Sequence, residues 1–266
     1  MRLCSIASGS SGNCIYVGSD NTHIQVDVGI SRKRIEEGLK KTDLTGEDLS
    51  GILITHEHSD HTQGLGVFAR RYKIPMYATK GTIDGILQCS RYLGDFDTGL
   101  FREIEIDKDL MIGDMTVHPF HISHDAKEPC GYRIASGTST LGIATDMGTF
   151  TKYTTEQLQG LNAILLEANH DVRMLQAGPY TYALKQRVMS DYGHLSNENS
   201  GLLLNQILHK DMKHIMLGHL SKENNMPEIA YETVKFEINQ AATPFKAEDF
   251  HLCVASRDQE SEILHF

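Results

Sequence analysis

The sequence predicts a mixed α/β (α+β) fold: two mixed β-sheets stacked as a sandwich and flanked by helices, in a single domain over residues 1–266. Three observations predict it. Two strand-rich halves each carry helices. The early strands follow one another too closely for the helical crossovers that a single parallel sheet requires. The polar motifs fall where apolar strands end, which sets them along one edge of the sheets. At 266 residues the chain is long enough for one large domain with a substantial core.

The elements follow in order. "RLCSIASGSSGNCIYV" reads as strand, Gly/Ser turn and strand, and "HIQVDVG" as a third strand with Ile24, Val26 and Val28 on one face. "SRKRIEEGLKK" is a helix with Ser31 as its N-cap. "SGILITHEH" is a buried strand entering a histidine-rich loop. "GLGVFARRYK" is a helix, "IPMYAT" a strand and "KGTIDGILQCSRYL" a helix. "LFREIEI", "DMTVHPFHI", "CGYRIASG" and "TLGIATDMG" are successive strands. "TEQLQG" is a short helix, "NAILLEANHD" a buried strand, and "TYALKQRVM" and "NENSGLLLNQILHK" are helices. "KHIMLGHLSKENN" is a strand leading to a loop, "PEIAYETVKFEINQ" a helix and "FHLCVAS" a last strand.

Charge and cysteine usage exclude several classes. Acidic residues outnumber basic ones 35 to 25, a net charge of −10, which disfavours broad non-specific binding to phosphates. A local basic groove beside a cationic metal site remains compatible with that balance. Five cysteines (Cys4, Cys14, Cys89, Cys130, Cys253) form no CxxC pair, so neither a disulfide framework nor a cysteine-rich zinc site is expected. Each reads as a small buried apolar residue. No apolar run reaches the length of a membrane span and no signal-peptide pattern opens the chain, so a cytoplasmic protein without membrane contact is expected.

Fourteen histidines are a high count, and eight of them fall in short motifs. "ITHEHSDHTQG" places His56, His58, Asp60 and His61 directly after an apolar strand. Alternate residues His56 and His58 can point toward one ion, while Asp60 and His61 can turn toward a second. Further motifs supply Asp27 in "VDVG", His121 and His124 in "HISHDAKEPCGYRI", Asp146 in "ATDMG", Glu167 and His170 in "LLEANHD", His194 in "YGHLSNEN" and His219 in "IMLGHLS". Imidazole nitrogens and carboxylate oxygens suit borderline divalent metals. Two such ions roughly 3.5–4 Å apart can clamp the attacking and leaving oxygens of an ester.

His56-x-His58-x-Asp60-His61 after an apolar strand resembles the signature of the metallo-β-lactamase superfamily, and the later motifs keep its order from Asp27 to His219. The resemblance implies an αββα metallo-β-lactamase sandwich. It implies one site of His56, His58 and His124, a second of Asp60, His61 and His219, and Asp146 bridging them. Asp27 would orient the histidine loop. "HDAKEPCGYRI" is similar to the His…Gly-Tyr segment of ribonuclease Z-type phosphodiesterases, which favours His124 over His121. "SGSSGN", "DVGIS", "THEHSDH", "LLEANHD" and "GHLSNENS" together look like the YycJ (WalJ)-type metallohydrolases, a group associated with 5′→3′ exonuclease activity on DNA.

The implied function is a dinuclear hydrolase of phosphodiesters, a DNA exonuclease in which a metal-bridging hydroxide attacks phosphorus. Two divalent ions per chain are implied, zinc or manganese, with iron compatible. Asp60 and His194 are the candidate catalytic residues, His194 as leaving-group acid or phosphate-binding group. The bland alternative for His194 is a local hydrogen bond beside the Ser196/Asn197 cap. Glu167 and His170 are read either as a solvated strand end, or as an extra ligand or hydrogen-bond partner of a metal-bound histidine. Ser8, Ser11 and Asn13 of the Gly/Ser turn are placed at the rim, with Ser11 and Asn13 as substrate-binding candidates. Arg173, Lys185 and Arg187 read as solvated helix surface. His23, His118, His209, His214, His251 and His265 read as ordinary surface or core residues. A nucleic-acid substrate, with no obligate protein partner, is the expected ligand. A small-molecule hydrolase of thioesters, lactones or cyclic phosphodiesters is the alternative on the same scaffold. A flavin-coupled redox role is disfavoured by the imidazole of His58, where such relatives carry a carboxylate.

Overall fold

Strand β1 (Arg2–Ala7) turns through residues 8–13 into β2 (Cys14–Gly18), and the two pair antiparallel with Leu3 opposite Val17. This hairpin opens a computed structural model that describes residues 1–88 and 90–266, so Cys89 lies outside the described residues. The chain divides into two units. The first comprises Met1–His121, Ala126–Gly137 and Ser256–His265, and the second Ile122–Asp125, Thr138–Ala255 and Phe266.

In the first unit, β3 (His23–Val26) continues the antiparallel pairing from β2. Helix α1 (Arg32–Lys40) then crosses to β4 (Gly51–Leu53). Helices α2 (Ser59–Thr62) and α3 (Leu65–Tyr72) lead to β5 (Met76–Thr79), and α4 (Lys80–Gln88) precedes β6 (Phe101–Ile104). Each helical crossover returns the chain in the same direction, so β3 through β6 pair parallel. Strands β7 (Leu110–Ile112), β8 (Met115–His121) and β9 (Cys130–Ser136) form an antiparallel meander. The two-residue turn between β7 and β8 uses Gly113 at φ 57°, a left-handed conformation that glycine adopts without steric cost.

Ser31 caps α1, its hydroxyl accepting the Arg34 N–H. The buried face of α1 carries Ile35 and Leu39, which join Ile6, Tyr16, Ile52, Ile54 and Phe68 in one apolar cluster. Val28 belongs to this cluster, and Ile24 and Val26 do not. The expected single face of Ile24, Val26 and Val28 is therefore broken. Asp27 adopts φ 59°, which ends β3 and rotates Val28 away from the strand's alternation.

The second unit is built on β10 (Ser139–Ala144), β11 (Ala163–Glu167), β12 (His214–Gly218) and, late in sequence, β13 (His251–Val254), all parallel in that order. "AILLE" is buried at every position and "HIMLG" at all but its first, as expected of parallel strands covered on both faces. The crossovers are α5 (Lys152–Gln157), α6 (Val172–Ala177), α7 (Tyr182–Val188), α8 (Asn197–Ile207) and α9 (Pro227–Gln240). Ser196 caps α8 and Pro227 opens α9, and these two helices pack on each other. The last strand, β14 (Leu264–His265), belongs to the first unit and completes its sheet in the order β14-β1-β2-β3-β4-β5-β6.

The expected strands and longer helices are present. Helices α2 and α6 and strands β7 and β14 were not anticipated. Segments of 2 to 6 residues are too short to display a periodicity.

Candidate metal centre

Parallel strands place their carboxyl ends on the same side of a sheet, where ligands collect. In the first unit Asp27 follows β3, and His56 to His61 follow β4. Asp27 is buried and gathers the loop. One carboxylate oxygen accepts the Thr55 N–H at 2.9 Å. The other accepts the Thr55 hydroxyl at 2.9 Å and His61 Nδ1–H at 2.7 Å. His61 is completely buried, and its Nε2 stands 3.6 Å from Asp60 Oδ2. His56 Nε2 and His58 Nδ1 converge to 3.0 Å. The single turn of α2 swings Asp60 and His61 back over the loop, and the Thr62 hydroxyl ties it to the His58 carbonyl at 2.9 Å. Behind the loop, the Tyr132 hydroxyl donates to the Ile54 carbonyl and the Cys130 N–H to the Thr55 carbonyl. Burial pushes the Cys130 thiol up to about 12, so it is inert.

In the second unit Asp146 follows β10, Glu167 ends β11 and His219 follows β12. Ligand atoms of Asp146, Glu167, His194 and His219 all lie within 4.8 Å of one another. His219 Nε2 is 3.3 Å from Asp146 Oδ1, and its Nδ1 is 3.0 Å from Glu167 Oε1. The same Glu167 oxygen takes His194 Nδ1 at 2.7 Å. The other oxygen accepts the backbone N–H of Met147 at 2.7 Å and of Leu195 at 3.3 Å. Burial alone would raise the Glu167 pKa, but His194 and His219 outweigh it and hold the carboxyl well below its usual range. His124 sends Nδ1 to the Gly193 carbonyl at 3.1 Å, and its Nε2 is 3.9 Å from Asp146 Oδ1. His121, the competing candidate, is exposed.

These donors fit divalent metal ions. In His61, His124 and His219 an oxygen acceptor engages Nδ1–H, namely Asp27, the Gly193 carbonyl and Glu167. That leaves Nε2 as the basic nitrogen, the tautomer a ligating histidine requires. Asp27, Asp146 and His219 also share left-handed backbones, at φ 59°, 59° and 54°. Non-glycine residues in that region carry about 1–2 kcal/mol of strain, which gathers at functional sites.

The remaining candidates separate. Asn13 is not at a rim: it is 3% exposed, and its amide nitrogen lies 3.2 Å from the Gly9 carbonyl and 3.0 Å from His61 Nε2. Ser11 is exposed, and its carbonyl accepts from Gln63 at 3.4 Å. Ser8 is buried. His170 is buried against Asn169 and Ser196 rather than within the four-residue cluster. Arg187 pairs with Asp125 at 2.5 Å and Lys185 donates to the Gln176 carbonyl, both on the surface. Thr55, which touches Asp27, His56 and His61, escaped the sequence reading. Its only signal was a hydroxyl immediately before the first histidine.

Asp27→Asn is expected to fold and to bind metal about 10–100-fold more weakly, measured by chelator competition. The amide can still serve the Thr55 N–H but presents a donor toward His61 Nδ1–H. Unchanged metal affinity would mean that Asp27 does not set the His61 tautomer.

Acid should destabilise the fold in two stages. Burial lowers the His170 pKa from 6.5 to about 4. The unfolded chain therefore binds more protons between those values, and up to about 3 kcal/mol of stability is lost as pH falls through that window. The depressed Glu167 carboxyl contributes stability above its unfolded value of 4.5, lost as pH falls below it. Urea melts at pH 7, 5.5 and 4.5 should show the first stage, and His170→Asn should flatten it.

The beta-lactamase superfamily domain, as a family profile, matches residues 24–215. The metallo-β-lactamase-fold protein YhfI from Bacillus subtilis superposes with a TM-score of 0.71, covering 98% of both chains at 14% identity. This chain therefore has the metallo-β-lactamase fold, two mixed seven-stranded sheets flanked by helices, and is by class a metal-dependent hydrolase. More particularly, it belongs to the YycJ/WalJ family of the metallo-β-lactamase superfamily. It is 40% identical to exodeoxyribonuclease YycJ of Bacillus anthracis over 229 residues, 86% of each chain. It is 41% identical to exodeoxyribonuclease WalJ of Streptococcus pneumoniae serotype 2 (strain D39 / NCTC 7466) over 240 residues, 89% of this chain and 87% of that one. Among the described residues no helix is long and apolar enough to cross a membrane.

Proposed function

We propose that this protein is a cytoplasmic DNA exonuclease, degrading strands 5′→3′ and working as one domain without an obligate protein partner. In this reading His56, His58 and His124 would hold one divalent ion and Asp60, His61 and His219 a second, with Asp146 serving both. Zinc or manganese fits the donor set, and iron is compatible. Bound there, the ions would supply the activated water nucleophile and neutralise charge on the phosphoryl oxygens.

The observation that carries the reading is His194 held by the buried Glu167 carboxylate at 2.7 Å, with 17% of the imidazole side chain still exposed. Glu167 keeps a proton on Nδ1 and fixes the ring, which stacks on His219 at a centroid distance of 5.3 Å. Protonated on Nε2 as well, this imidazolium can deliver its Nε2 proton to a leaving sugar oxygen, or donate it to a phosphate. The exodeoxyribonuclease names of both relatives support DNA as the substrate.

The test is digestion of duplex DNA labelled at the 5′ or the 3′ end, by protein loaded separately with manganese and with zinc. Asp60→Ala/His61→Ala serves as the control for contaminating nucleases. Mononucleotides released from the 5′ end, and absent in the control, would support activity and polarity together. No cleavage by a preparation holding about two ions per chain would sink the proposal and turn attention to RNA, cyclic phosphodiesters and thioesters.

A further inference from the structure

Between α7 and α8 the chain crosses residues 189–196, and its backbone is fixed at successive positions against the segment that carries His124. The Ser123 hydroxyl donates to the Asp191 carbonyl at 2.7 Å, the Asp125 N–H to the Tyr192 carbonyl at 3.1 Å, and His124 Nδ1–H to the Gly193 carbonyl at 3.1 Å. Two local bonds tighten the turn, from the Gly193 N–H to Ser190 and from the His194 N–H to Val188. Gly148 packs so closely that a Cβ there would lie 2.4 Å from the Asp191 backbone. Yet the Tyr192 side chain, in the middle of this clamped turn, leaves the residue 62% exposed.

An exposed aromatic ring contributes little to a core, and an ordinary mobile loop would be the place to find one. Here the ring stands on rigid backbone, two residues before His194 and one carbonyl away from the His124 anchor. Asp125 also ties Arg187 to the same turn, through its carboxylate at 2.5 Å, and the Arg187 side chain is 51% exposed. A preset aromatic face on a turn that Asp125 also links to an arginine matches the chemistry of a single-stranded nucleic acid, whose bases stack on rings while cations follow the phosphates.

We propose that Tyr192 is a stacking platform for a nucleobase of the strand being cut, setting the register of its phosphodiester against His194. The assignment rests on the nuclease reading above and adds the residue that grips a base. Stacking of this kind is sequence-tolerant, because every base offers a π-face. The platform therefore suits an enzyme that removes nucleotides regardless of identity.

The experiment compares metal-loaded wild type, Tyr192→Ala, Tyr192→Phe and Tyr192→Trp on a labelled single strand and on the same strand with abasic sites at its terminal nucleotides. Tyr192→Ala should raise KM about 5- to 150-fold, the span expected for one lost base stack, with kcat far less affected. Phe and Trp keep the π-face and should keep most of the affinity. On the abasic strand the gap between wild type and alanine should close. Quenching of 2-aminopurine placed near the strand's end should accompany binding to wild type and be lost with alanine. The stacking proposal falls if alanine matches wild type on the normal strand, if its deficit persists on the abasic one, or if Phe fails as badly as Ala. Should the wild type cleave no DNA at all, the nuclease reading falls and this inference with it. Cleavage that ignores the Tyr192 substitutions would remove the platform alone.

Discussion

Replacing Asp60 and His61 together by alanine should abolish DNA cleavage, a loss of at least about 10³-fold in kcat/KM, and should lower the metal content of the purified protein. The expectation follows from how the loop presents these groups. His61 is completely buried, with Nδ1 bound to Asp27 at 2.7 Å, so Nε2, 3.0 Å from the Asn13 amide nitrogen, is its basic nitrogen. Asp60 Oδ2 approaches that nitrogen to 3.6 Å, and the single turn of α2 sets the two side chains side by side. The double change removes both donors at once. It also leaves the buried Asp27 carboxylate without its imidazole, at a cost of about 1–3 kcal/mol. Asp60→Asn is therefore the companion variant: its backbone carbonyl still accepts the Asn13 N–H at 2.8 Å, so the loop keeps its anchor. Circular dichroism and melting temperature report folding, and elemental analysis reports metal. A folded Asp60→Asn protein with full metal content and full activity would remove Asp60 from the ligand set.

Glu167→Gln should lower kcat on DNA by about 10²-fold or more, the scale of a general acid. The wild-type carboxylate serves two imidazoles and two backbone N–H groups while completely buried. An amide of the same shape can accept the Met147 and Leu195 N–H groups with its oxygen. Its NH₂ then faces the Nδ1–H groups of His194 and His219, donor against donor. Two consequences are separable. If His194 acts as the leaving-group acid, a p-nitrophenyl phosphodiester, whose leaving group departs without a proton, should be cleaved with a much smaller loss by both Glu167→Gln and His194→Ala. If Glu167 acts only through His219 and the metal, both substrates should suffer equally and excess metal should restore activity. Equal, metal-rescued losses would overturn the acid role of His194.

The histidine loop was legible because its donor types lie within one short stretch after an apolar strand, a local pattern that needs no knowledge of the rest of the chain. Asp146 and His219 were legible by the same logic, as polar residues at strand ends. Glu167 was legible only as an even choice: a carboxylate ending "AILLE" reads equally as solvated, and its burial comes from Met147, the His194–Leu195 pair and His219 arriving from three other parts of the chain. Thr55 and Asn13 were missed or misplaced for a related reason. A hydroxyl or amide has no spacing signature, and its role is set by whichever histidine packs against it. The break at Asp27 belongs here too, since alternation of Ile24, Val26 and Val28 presumes a strand that φ 59° ends.

By itself, then, the sequence determined the kinds of element and their order along the chain, the ligand types and the strand ends that carry them. These follow from hydrophobic period and residue chemistry, which act over a few positions. The tertiary structure alone decided which oxygen engages each Nδ1, and so which nitrogen of His61, His124 and His219 is basic. It also decided that Glu167 is a buried anchor and that Tyr192 is an exposed ring on clamped backbone. Those outcomes depend on groups 34, 69 and 52 residues apart meeting at hydrogen-bond distance, in the pairs His61–Asp27, His124–Gly193 and His219–Glu167. Local sequence carries no record of such meetings, because directional bonds between distant residues form only where the packing of whole strands brings them together.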